Sequence, residues 1–429
     1  MARRVIPRGR ARPYIEIVNI AHVTRRFAED AWGGTETVVL ETSKRLQTLG
    51  HDTAVFTTTA LSPTRTDAIQ QVPVHRHPYF YPYLGLSTSA RDALDRKAGN
   101  LFSFSLARHL ARTPADVFHL HTGKRLGGIA RSAAKAHGTP YVVSLHGGAF
   151  DVPAAESASW TAPTKGAFEW GKALGWWVGS RHVLRDAAAV ICLSDAERAA
   201  VKAKEPGVQT VVLPNGVDTR RFRSGHGAAF RAAHGIRPEA KVVLTMGRID
   251  PQKQQHLAVE AIAQLRAQDV DAHLLLIGPV TDEAYGQALT RTVTERGLSA
   301  HVTRIDGLRA NDPALVDAYH AADVFLLPSL HEPFGIVALE AWAAGCPVVA
   351  SRVGGIPGFA THMRNAFLFE PSDVSQAVVG LASVLLHPTL GRTLAEAGRR
   401  RAAERYDWTK VTEELVGLYE DVRRAHPVR

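Results

Sequence analysis

The feature that most constrains the fold is a regular alternation of short apolar runs with longer helical stretches. The runs are rich in β-branched residues and do not alternate apolar with polar positions, which is typical of strands buried on both faces of a sheet. Strand–helix–strand alternation predicts parallel sheets covered by helices on both sides. We therefore expect an α/β protein with strands over 14–20, 53–58, 116–121, 141–146, 189–194, 210–213, 241–246, 273–278, 301–305, 324–328, 347–351 and 366–369.

The strand pattern is interrupted once, near the middle of the chain. A Pro-Asn-Gly signal at 214–216 and a polar stretch after it are typical of a loop, and the second half then begins afresh with a strand. The sequence therefore predicts two doubly wound, Rossmann-like domains over 14–215 and 216–405, facing a cleft. Residues 406–429 carry a helical pattern whose apolar face is formed by Trp408, Val411, Leu415 and Leu418.

The formal net charge of +10 is unevenly placed, because half of the excess lies in the first thirteen residues. We expect residues 1–13 to form a disordered basic arm that is solvated or makes weak peripheral contact with a membrane. Nucleic-acid binding is not expected, since only Tyr14 adjoins the arm where interleaved aromatic residues would be needed.

Composition and cysteine usage favour a cytoplasmic protein, with association at the cytoplasmic face of a membrane as the alternative. No apolar stretch of signal-peptide length follows the arm. The most membrane-like stretch, 333–351, contains Glu340 and is broken by Gly335, Gly345 and Pro347. Cys192 and Cys346 are far apart and flanked by apolar residues, so we predict two buried free thiols in a reducing compartment.

A turn with two cations follows the predicted strand 241–246. Arg248 and Lys253 lie five positions apart on this strand-to-helix turn, at the edge of an open sheet where ligands bind. Such a pair could neutralise a diphosphate leaving group without a metal. A solvated turn with two ordinary basic residues is the alternative.

A second candidate anion site follows the predicted strand 324–328. Pro333 disfavours helix at Glu332, so the helix should begin near Gly335 with the amides of 335–337 facing an anion. Glu340 lies in an apolar stretch and needs a partner, either the hydroxyls of a sugar diol or an arginine. The glycine turn at 354–355 is unspecific by itself.

The first half offers weaker signals. Gly33 and Gly34 precede a helix that contains Glu36, which fits an anion site or merely a tight loop with a favourable helix dipole. His119 and His121 lie two apart on a strand, as metal ligands can, but no cysteine or acidic cluster accompanies them. His146 ends a strand before a glycine, and a polar residue in a loop is its alternative. The Asp-x-Asp at 269–271 lies at the other sheet edge and is assigned to a loop.

Together these motifs resemble the retaining glycosyltransferases of family 4, which have the two-domain glycosyltransferase-B fold. The resemblance runs from about residue 15 to Trp408 in the family's order. Its most specific element is the Glu-Pro-Phe-Gly stretch that opens a Glu-x7-Glu motif downstream of the Arg/Lys turn. The matching stretches are 33–36, 144–147, 193–194, 213–218, 247–253, 332–340, 344–351 and 354–355.

The resemblance implies a hexosyltransferase that moves a sugar from a nucleotide-diphosphate sugar to an acceptor hydroxyl with retention of anomeric configuration. A UDP-sugar is favoured because it is the family's commonest donor, and neither a metal nor a cofactor is implied. Arg248 and Lys253 would bind the diphosphate, Glu332 the sugar hydroxyls, and His146 would lie near the transferred sugar, so these four are the implied catalytic residues. The other implied donor-binding residues are Gly34, Phe334, Gly335, Ile336, Val337 and Glu340, and the acceptor-binding residues are Gly33, Glu36 and His121.

Several alternatives remain at this point. A nicotinamide dehydrogenase lacks support because no Gly-x-Gly-x-x-Gly follows the first strand. An epimerase or a phosphorylase would share the fold, and a nucleotide-sugar-binding protein without transfer activity would share the motifs. The acceptor class is open between a saccharide, a small molecule and a lipid-linked molecule; 62–96 is a candidate acceptor loop and 304–308 a candidate wall for the donor base. The resemblance also implies that the C-terminal helix crosses back to the first domain.

Overall fold

The computed structural model describes residues 17–29, 32–62, 64–96, 99–147 and 162–426. The predicted basic arm, 1–13, lies outside the described residues. The chain divides into two compact units. The first comprises the described residues up to Leu213 together with those from Thr412 onward, and the second is Pro214–Val411. The division thus lies two residues before the predicted boundary.

The described part of the first unit is built on an eight-stranded sheet in the order β10-β9-β7-β6-β1-β2-β4-β3. Its strands pair in parallel, except that β3 is antiparallel to β4. A short antiparallel pair, β5 and β8, lies apart from this sheet. The strands are β1 (Asn19–Val23), β2 (Asp52–Thr58), β3 (Thr66–Ile69), β4 (Val72–His77), β5 (Tyr83–Leu84), β6 (Val117–Leu120), β7 (Tyr141–Ser144), β8 (Phe168–Glu169), β9 (Ala189–Cys192) and β10 (Thr210–Val212).

Helices connect these strands, as the alternation of the sequence predicts. Glycines shape some of the helix ends: α4 ends on Gly138, whose φ of +67° is the left-handed conformation that glycine adopts without strain. The helices are α1 (Gly34–Thr48), α2 (Thr88–Arg96), α3 (Phe104–Leu110), α4 (Lys124–His137), α5 (Lys172–Trp177) and α6 (Asp195–Lys204).

The second unit, which is described throughout, contains a six-stranded parallel sheet in the order β13-β12-β11-β14-β15-β16. The strands are β11 (Lys241–Met246), β12 (Ala272–Ile277), β13 (Val302–Ile305), β14 (Val324–Leu327), β15 (Val348–Ser351) and β16 (Phe367–Phe369). The helices are α7 (Gly227–Ala233), α8 (Gln255–Arg266), α9 (Glu283–Glu295), α10 (Pro313–Ala321), α11 (Ile336–Ala344), α12 (Ile356–Phe359), α13 (Val374–Leu386) and α14 (Pro388–Arg405).

The last helix, α15 (Trp408–Ala425), passes from the second unit into the first. It begins at Trp408 rather than at the predicted residue 406. Its predicted apolar face is buried, as are Tyr419 and Val422. Tyr419 hydrogen-bonds His119 of β6 at 2.6 Å, and Arg423 lies 3.5 Å from Asp116. These contacts fix the end of the chain on the first unit, so the prediction that the helix crosses back is confirmed.

Two sequence-based expectations for the first unit need correction. Of the first predicted strand, 14–20, residues 14–16 lie outside the described residues, and β1 begins at Asn19 and runs to Val23, past the predicted end. The described residues of 62–96 do not form a single loop, since they contain the β3–β4 hairpin, β5 and α2, and acceptor binding by this stretch stays a prediction. The hairpin forms because Ile69 and Val72 pair across a turn and are buried with Val74 in an apolar cluster.

Both cysteines are buried free thiols, as predicted. Burial raises the pKa of the Cys192 thiol to about 12 and raises the pKa of the Cys346 thiol as well. Among the described helices, none is by itself long and apolar enough to cross a membrane. One pair, α13 with α14, meets the criteria of length and composition only when both are counted across a bend of 100°.

Candidate active site

The Arg/Lys turn of the second unit lies where two strands end close together. β11 ends at Met246, and the chain turns at Gly247 with a φ of +146°. A side chain on the neighbouring Gly278 would meet the Gly247 carbonyl oxygen at 1.9 Å, so this approach requires glycine. Asp250 then caps the helical turn Pro251–Lys253 by accepting from the Lys253 amide at 3.2 Å.

The two cations of this turn have different surroundings. Arg248 is 49% exposed, donates to the Gln252 side chain at 3.0 Å and lies 3.2 Å from Asp250. The half-buried Lys253 reaches Glu332, and its Nζ lies 2.5 Å from Oε2 of that carboxylate. The structure therefore brings together two residues that are 79 positions apart and that the sequence assigns to one site.

Glu332 is buried and held by the protein. Its Oε2 also accepts from the hydroxyl of Ser329 at 3.1 Å. A buried carboxylate is stable only if it is paired and hydrogen-bonded, and Lys253 and Ser329 meet that need. Because an ammonium has three N–H groups, Lys253 can pair with Glu332 and still offer donors to a phosphate.

Gln252 joins the two loops that carry Lys253 and Glu332. The side-chain amide of Gln252 donates to the His331 carbonyl at 2.9 Å. The backbone carbonyl of Gln252 accepts from the Leu330 amide at 2.8 Å. Gln255 adds a further tie by donating to the Arg248 carbonyl at 2.8 Å. Sequence reasoning missed both glutamines; the position of Gln252 between the two cations was the only signal for it.

The glycine turn after β15, unspecific in the sequence, supports the Glu332 backbone directly. The Gly355 amide donates to the Glu332 carbonyl at 2.9 Å. Gly354 has a φ of +51°, and a Cβ there would lie 2.1 Å from the Glu332 carbonyl oxygen. This close approach of two backbones is possible only with glycine.

Helix α11 begins where the sequence predicts, directly after Glu332–Gly335. Gly335 is its N-cap, with a φ of +96°. The amides of Ile336 and Val337 lie in the first turn of the helix, where no carbonyl four residues back can accept from them. The Phe334 side chain is buried against Phe359, so Phe334 has only its backbone to offer a ligand.

Glu340 has a partner that neither sequence-based alternative named. The phenol of Tyr319, on α10, donates to its Oε2 at 2.7 Å. Burial and the adjacent carboxylate raise the pKa of Tyr319, which keeps this phenol protonated as a donor. Tyr319 is thus one partner of Glu340, and both sequence-based alternatives, an arginine and a ribose diol, stay predictions.

The first unit has a cavity of about 640 Å³ at the carboxyl end of its sheet. Thr35 at the start of α1, His121 after β6 and His146 after β7 all line it. Gly33 is the N-cap of α1 and Gly34 is its first residue, so both glycines directly precede the lining residue Thr35. Four cations also line the cavity, together with one acidic residue, Glu205: they are Arg25, Lys124, Arg181 and Lys204.

Glu36 is already paired within the chain. It is buried, and the Arg26 guanidinium donates to its Oε1 at 3.0 Å. Its other carboxylate oxygen lies close to Gly33, because a Cβ on that glycine would be 3.0 Å from Oε2. The geometry gives Glu36 a role in holding the start of α1, and acceptor binding by Glu36 stays a prediction.

A chain of hydrogen-bonded histidines lies beneath the cavity. Nδ1 of His22 lies 3.0 Å from Nε2 of His121, and Nδ1 of His121 lies 2.9 Å from Nε2 of His146. In neutral imidazoles one nitrogen donates and the other accepts, so the tautomers of the three rings are tied to one another. Within the described residues, Nδ1 of His146 has no hydrogen-bond partner.

Two members of this chain, His22 and His121, also lie near His119. The three histidines each offer a nitrogen within 4.8 Å of the others, which meets a loose geometric criterion for a metal site. The detailed contacts favour hydrogen bonding. His119 uses one nitrogen for Tyr419 at 2.6 Å and the other for Ser144 at 2.7 Å. A metal bound by all three histidines would require these contacts to break. That the protein needs no metal stays a prediction.

Burial lowers the pKa of His22 to about 3 and that of His146 to about 4, and it lowers the pKa values of His119 and His121 as well. The unfolded chain takes up protons as the pH falls below 6.5, while the folded chain resists until near 4. The buried neutral histidines therefore contribute fully to the free energy of unfolding above pH 6.5. That contribution is lost as the pH falls toward 4. Each histidine contributes a slope of at most about 1.4 kcal/mol per pH unit.

We expect His22→Gln to lower the slope of the free energy of unfolding against pH by the share of one histidine, at most about 1.4 kcal/mol per pH unit. Urea unfolding at a series of pH values on either side of 6.5 measures this slope. The matched control is His387→Gln, because His387 is exposed. An unchanged slope in His22→Gln would contradict the buried neutral chain.

Comparison with known proteins follows the division of the chain. Residues 33–216 match the family described as glycosyl transferase 4-like domain, and residues 228–401 match the glycosyl transferases group 1. The D-inositol 3-phosphate glycosyltransferase of Jonesia denitrificans is 31% identical over 414 residues, covering 92% of this chain and 93% of that protein. D-inositol 3-phosphate glycosyltransferase 2 of Catenulispora acidiphila is 30% identical over 417 residues and 91% of each chain.

Solved structures show the same fold at lower sequence identity. Sucrose-phosphate synthase from Thermosynechococcus elongatus superposes with a TM-score of 0.72 at 21% identity, over 95% of this chain and 100% of that one. HepE of Anabaena, solved in complex with UDP and glucose, gives a TM-score of 0.70 at 20% identity, over 94% of this chain and 100% of that one.

The two sheets, one parallel and the other parallel except at β3, and these matches define a glycosyltransferase with the glycosyltransferase-B fold. Within that class, the chain belongs to glycosyltransferase family 4. The fold class and the family implied by the sequence motifs are thus confirmed.

Proposed function

We propose that the protein transfers a hexosyl group from a UDP-sugar to an acceptor hydroxyl, with retention of anomeric configuration and without a metal. The observation that carries this proposal is the convergence of Arg248, the Lys253–Glu332 pair and the first turn of α11 at one edge of the second sheet. Two cations and the amides of a helix's first turn suit a diphosphate, and a buried carboxylate beside them suits the hydroxyls of a sugar. A neighbour in fold, HepE, was solved with UDP and glucose, which supports the choice of donor.

The proposed reaction breaks the bond between the anomeric carbon and the diphosphate oxygen, and the electron pair leaves with the nucleoside diphosphate. Arg248, Lys253 and the amides of Ile336 and Val337 stabilise that developing charge. The acceptor hydroxyl forms the new bond on the same face of the sugar, and its proton goes to the departing phosphate. Tyr319 orients Glu340, which would accept hydrogen bonds from the ribose.

The cavity of the first unit suits an acceptor that carries a negative charge. Four cations and one acidic residue line it, so a phosphorylated polyol or sugar would be attracted there. The relatives named for inositol 3-phosphate support this class of acceptor. His146 lines the same cavity, and we assign its side chain to the surroundings of the transferred sugar.

The test is an activity assay in which UDP-, GDP-, ADP- and TDP-hexoses are each paired with D-inositol 3-phosphate or with unphosphorylated inositol. We expect turnover with a UDP-hexose, a preference for the phosphorylated acceptor, and no change on adding EDTA. The anomeric coupling constant of the product, read by proton NMR, tests retention.

A thermal-shift panel of the nucleotides separates donor binding from transfer. A ligand at a hundredfold excess over its Kd should stabilise the fold by about 2.7 kcal/mol. Stabilisation by a UDP-sugar without turnover with any acceptor would favour the non-catalytic binding protein. No stabilisation by any nucleotide would contradict the donor site itself.

A further inference from the structure

The first unit displays an aromatic patch, which we define as Leu84, Phe104, Phe168, Trp170, Trp176 and Trp177. All six side chains are exposed, and Trp176 is 85% exposed. Every phenylalanine and tryptophan that is exposed in the described chain belongs to this patch. The other large exposed hydrophobic residues are aliphatic and lie in the second unit: Leu330, Met363, Val379 and Leu386.

Contacts join five members of the aromatic patch, two through a strand pair and three through shared rings, and Trp176 precedes Trp177 on α5. Leu84 and Phe168 face each other across the β5–β8 pair. The ring of Phe80 stacks on Trp170 at 5.9 Å and on Phe104 at 5.7 Å. The ring of Phe102 contacts Phe104 at 4.9 Å and Trp177 at 6.3 Å. A contiguous exposed apolar surface of this kind marks an interaction site.

Exposed cations accompany the aromatic rings on both helices of the patch. Lys172 lies one turn before Trp176 on α5, and Arg108 lies one turn after Phe104 on α3. Lys165, which precedes Phe168, is also exposed. The acidic residue of the β5–β8 pair, Glu169, forms a salt bridge with the buried Arg125. The surface is therefore apolar and cationic together.

We propose that this aromatic patch docks the protein on an anionic lipid bilayer. Tryptophan rings prefer the boundary between headgroups and acyl chains, and lysine and arginine beside them attract anionic headgroups. A second copy fits less well, because a two-fold contact pairs this patch with itself and would bring two cationic surfaces together. The proposal is independent of the proposed reaction, since it involves none of the donor-site residues.

Docking by this face has a consequence for the cavity of the first unit. The chain that leaves α5 contributes Ser180, Arg181, Val183 and Leu184 to the cavity wall. A bilayer held against α5 would therefore lie close to the segment that lines the cavity.

The experiment is co-sedimentation of the full chain with vesicles of phosphatidylcholine, alone or mixed with phosphatidylglycerol. We expect binding to the mixed vesicles, weak binding to phosphatidylcholine alone, and weakening by salt. Trp176→Ser with Trp177→Ser should lower the partition coefficient at least about tenfold, and Lys172→Ala about fivefold. The matched control is Val379→Ser with Leu386→Ser, exposed residues of the second unit, which should bind as the wild type does.

Three outcomes would overturn the proposal. The tryptophan double variant could bind vesicles as the wild type does, or binding could disappear only when residues 1–13 are removed. In the third outcome, the wild type binds no vesicles and the patch serves another partner. The double variant would then lose self-association, or it would lose binding to a polysaccharide. Transfer to a soluble acceptor should be unchanged in the double variant, so a failure here is distinguishable from a failure of the proposed reaction.

Discussion

Replacing Lys253 by alanine is expected to lower kcat/KM for the nucleotide sugar by roughly 30- to 5,000-fold, which corresponds to about 2–5 kcal/mol. Lys253 has two functions in the structure and the proposed reaction. It neutralises the buried carboxylate of Glu332 at 2.5 Å, and it would stabilise the charge that develops on the leaving diphosphate. Its removal takes away the second function and leaves Glu332 buried without its cation. Steady-state kinetics with donor varied measures the loss.

A double variant separates these two functions. In Lys253→Ala with Glu332→Gln, the unpaired carboxylate is gone, so the melting temperature should recover, while kcat/KM should stay well below that of Glu332→Gln alone. Arg237→Ala is the control for losing an ion pair, because Arg237 pairs with Asp271 in an exposed contact. That variant should lose no more than about 1 kcal/mol of stability and keep its kcat/KM. An equal kcat/KM in the double variant and in Glu332→Gln alone would show that Lys253 serves only to neutralise Glu332.

The meeting of Lys253 and Glu332 could be predicted because it depends on topology. Strands β11 and β14 are neighbours in the sheet, and the loops after neighbouring parallel strands converge at one edge. The start of α11 was also readable, since proline and glycine restrict the backbone in known ways. The contacts that fix the loops were not readable: the Gln252 side chain reaches a carbonyl of the other loop, and Gly354 acts through a close backbone approach, and no residue pattern specifies either.

The histidine chain shows the same limit in the first unit. His121 was singled out because it lies two residues after His119 on a predicted strand, and His146 because it ends one, but His22 was not singled out. His22 lies beside His119 only because β1 and β6 pair in a particular register. Strand order and register depend on the packing of the whole sheet, and an apolar run by itself does not reveal them. The tyrosine partner of Glu340 was missed for a related reason, since it comes from another helix.

The second large effect is expected from Gly354→Ala, a change that adds one methyl group outside the set of predicted site residues. The new Cβ would lie 2.1 Å from the Glu332 carbonyl oxygen and 2.9 Å from its carbon. These are backbone atoms, so the clash is relieved only by moving the Glu332 loop. We expect a loss of about 2–4 kcal/mol of stability from the clash and the left-handed φ.

The loss of activity in Gly354→Ala should be about a hundredfold in kcat/KM, since displacing a positioned group by about 1 Å has an effect of that size. Gly235→Ala is the matched control, because Gly235 has a φ of +65° and no neighbouring atom within 4 Å of the new Cβ. It should lose about 1 kcal/mol through backbone strain and keep its kcat/KM. Steady-state kinetics and urea unfolding of both variants distinguish two effects. A displaced Glu332 lowers kcat/KM, whereas backbone strain lowers only the free energy of unfolding. Equal kcat/KM values in the two alanine variants would show that the Gly354 contact does not position Glu332 for the reaction.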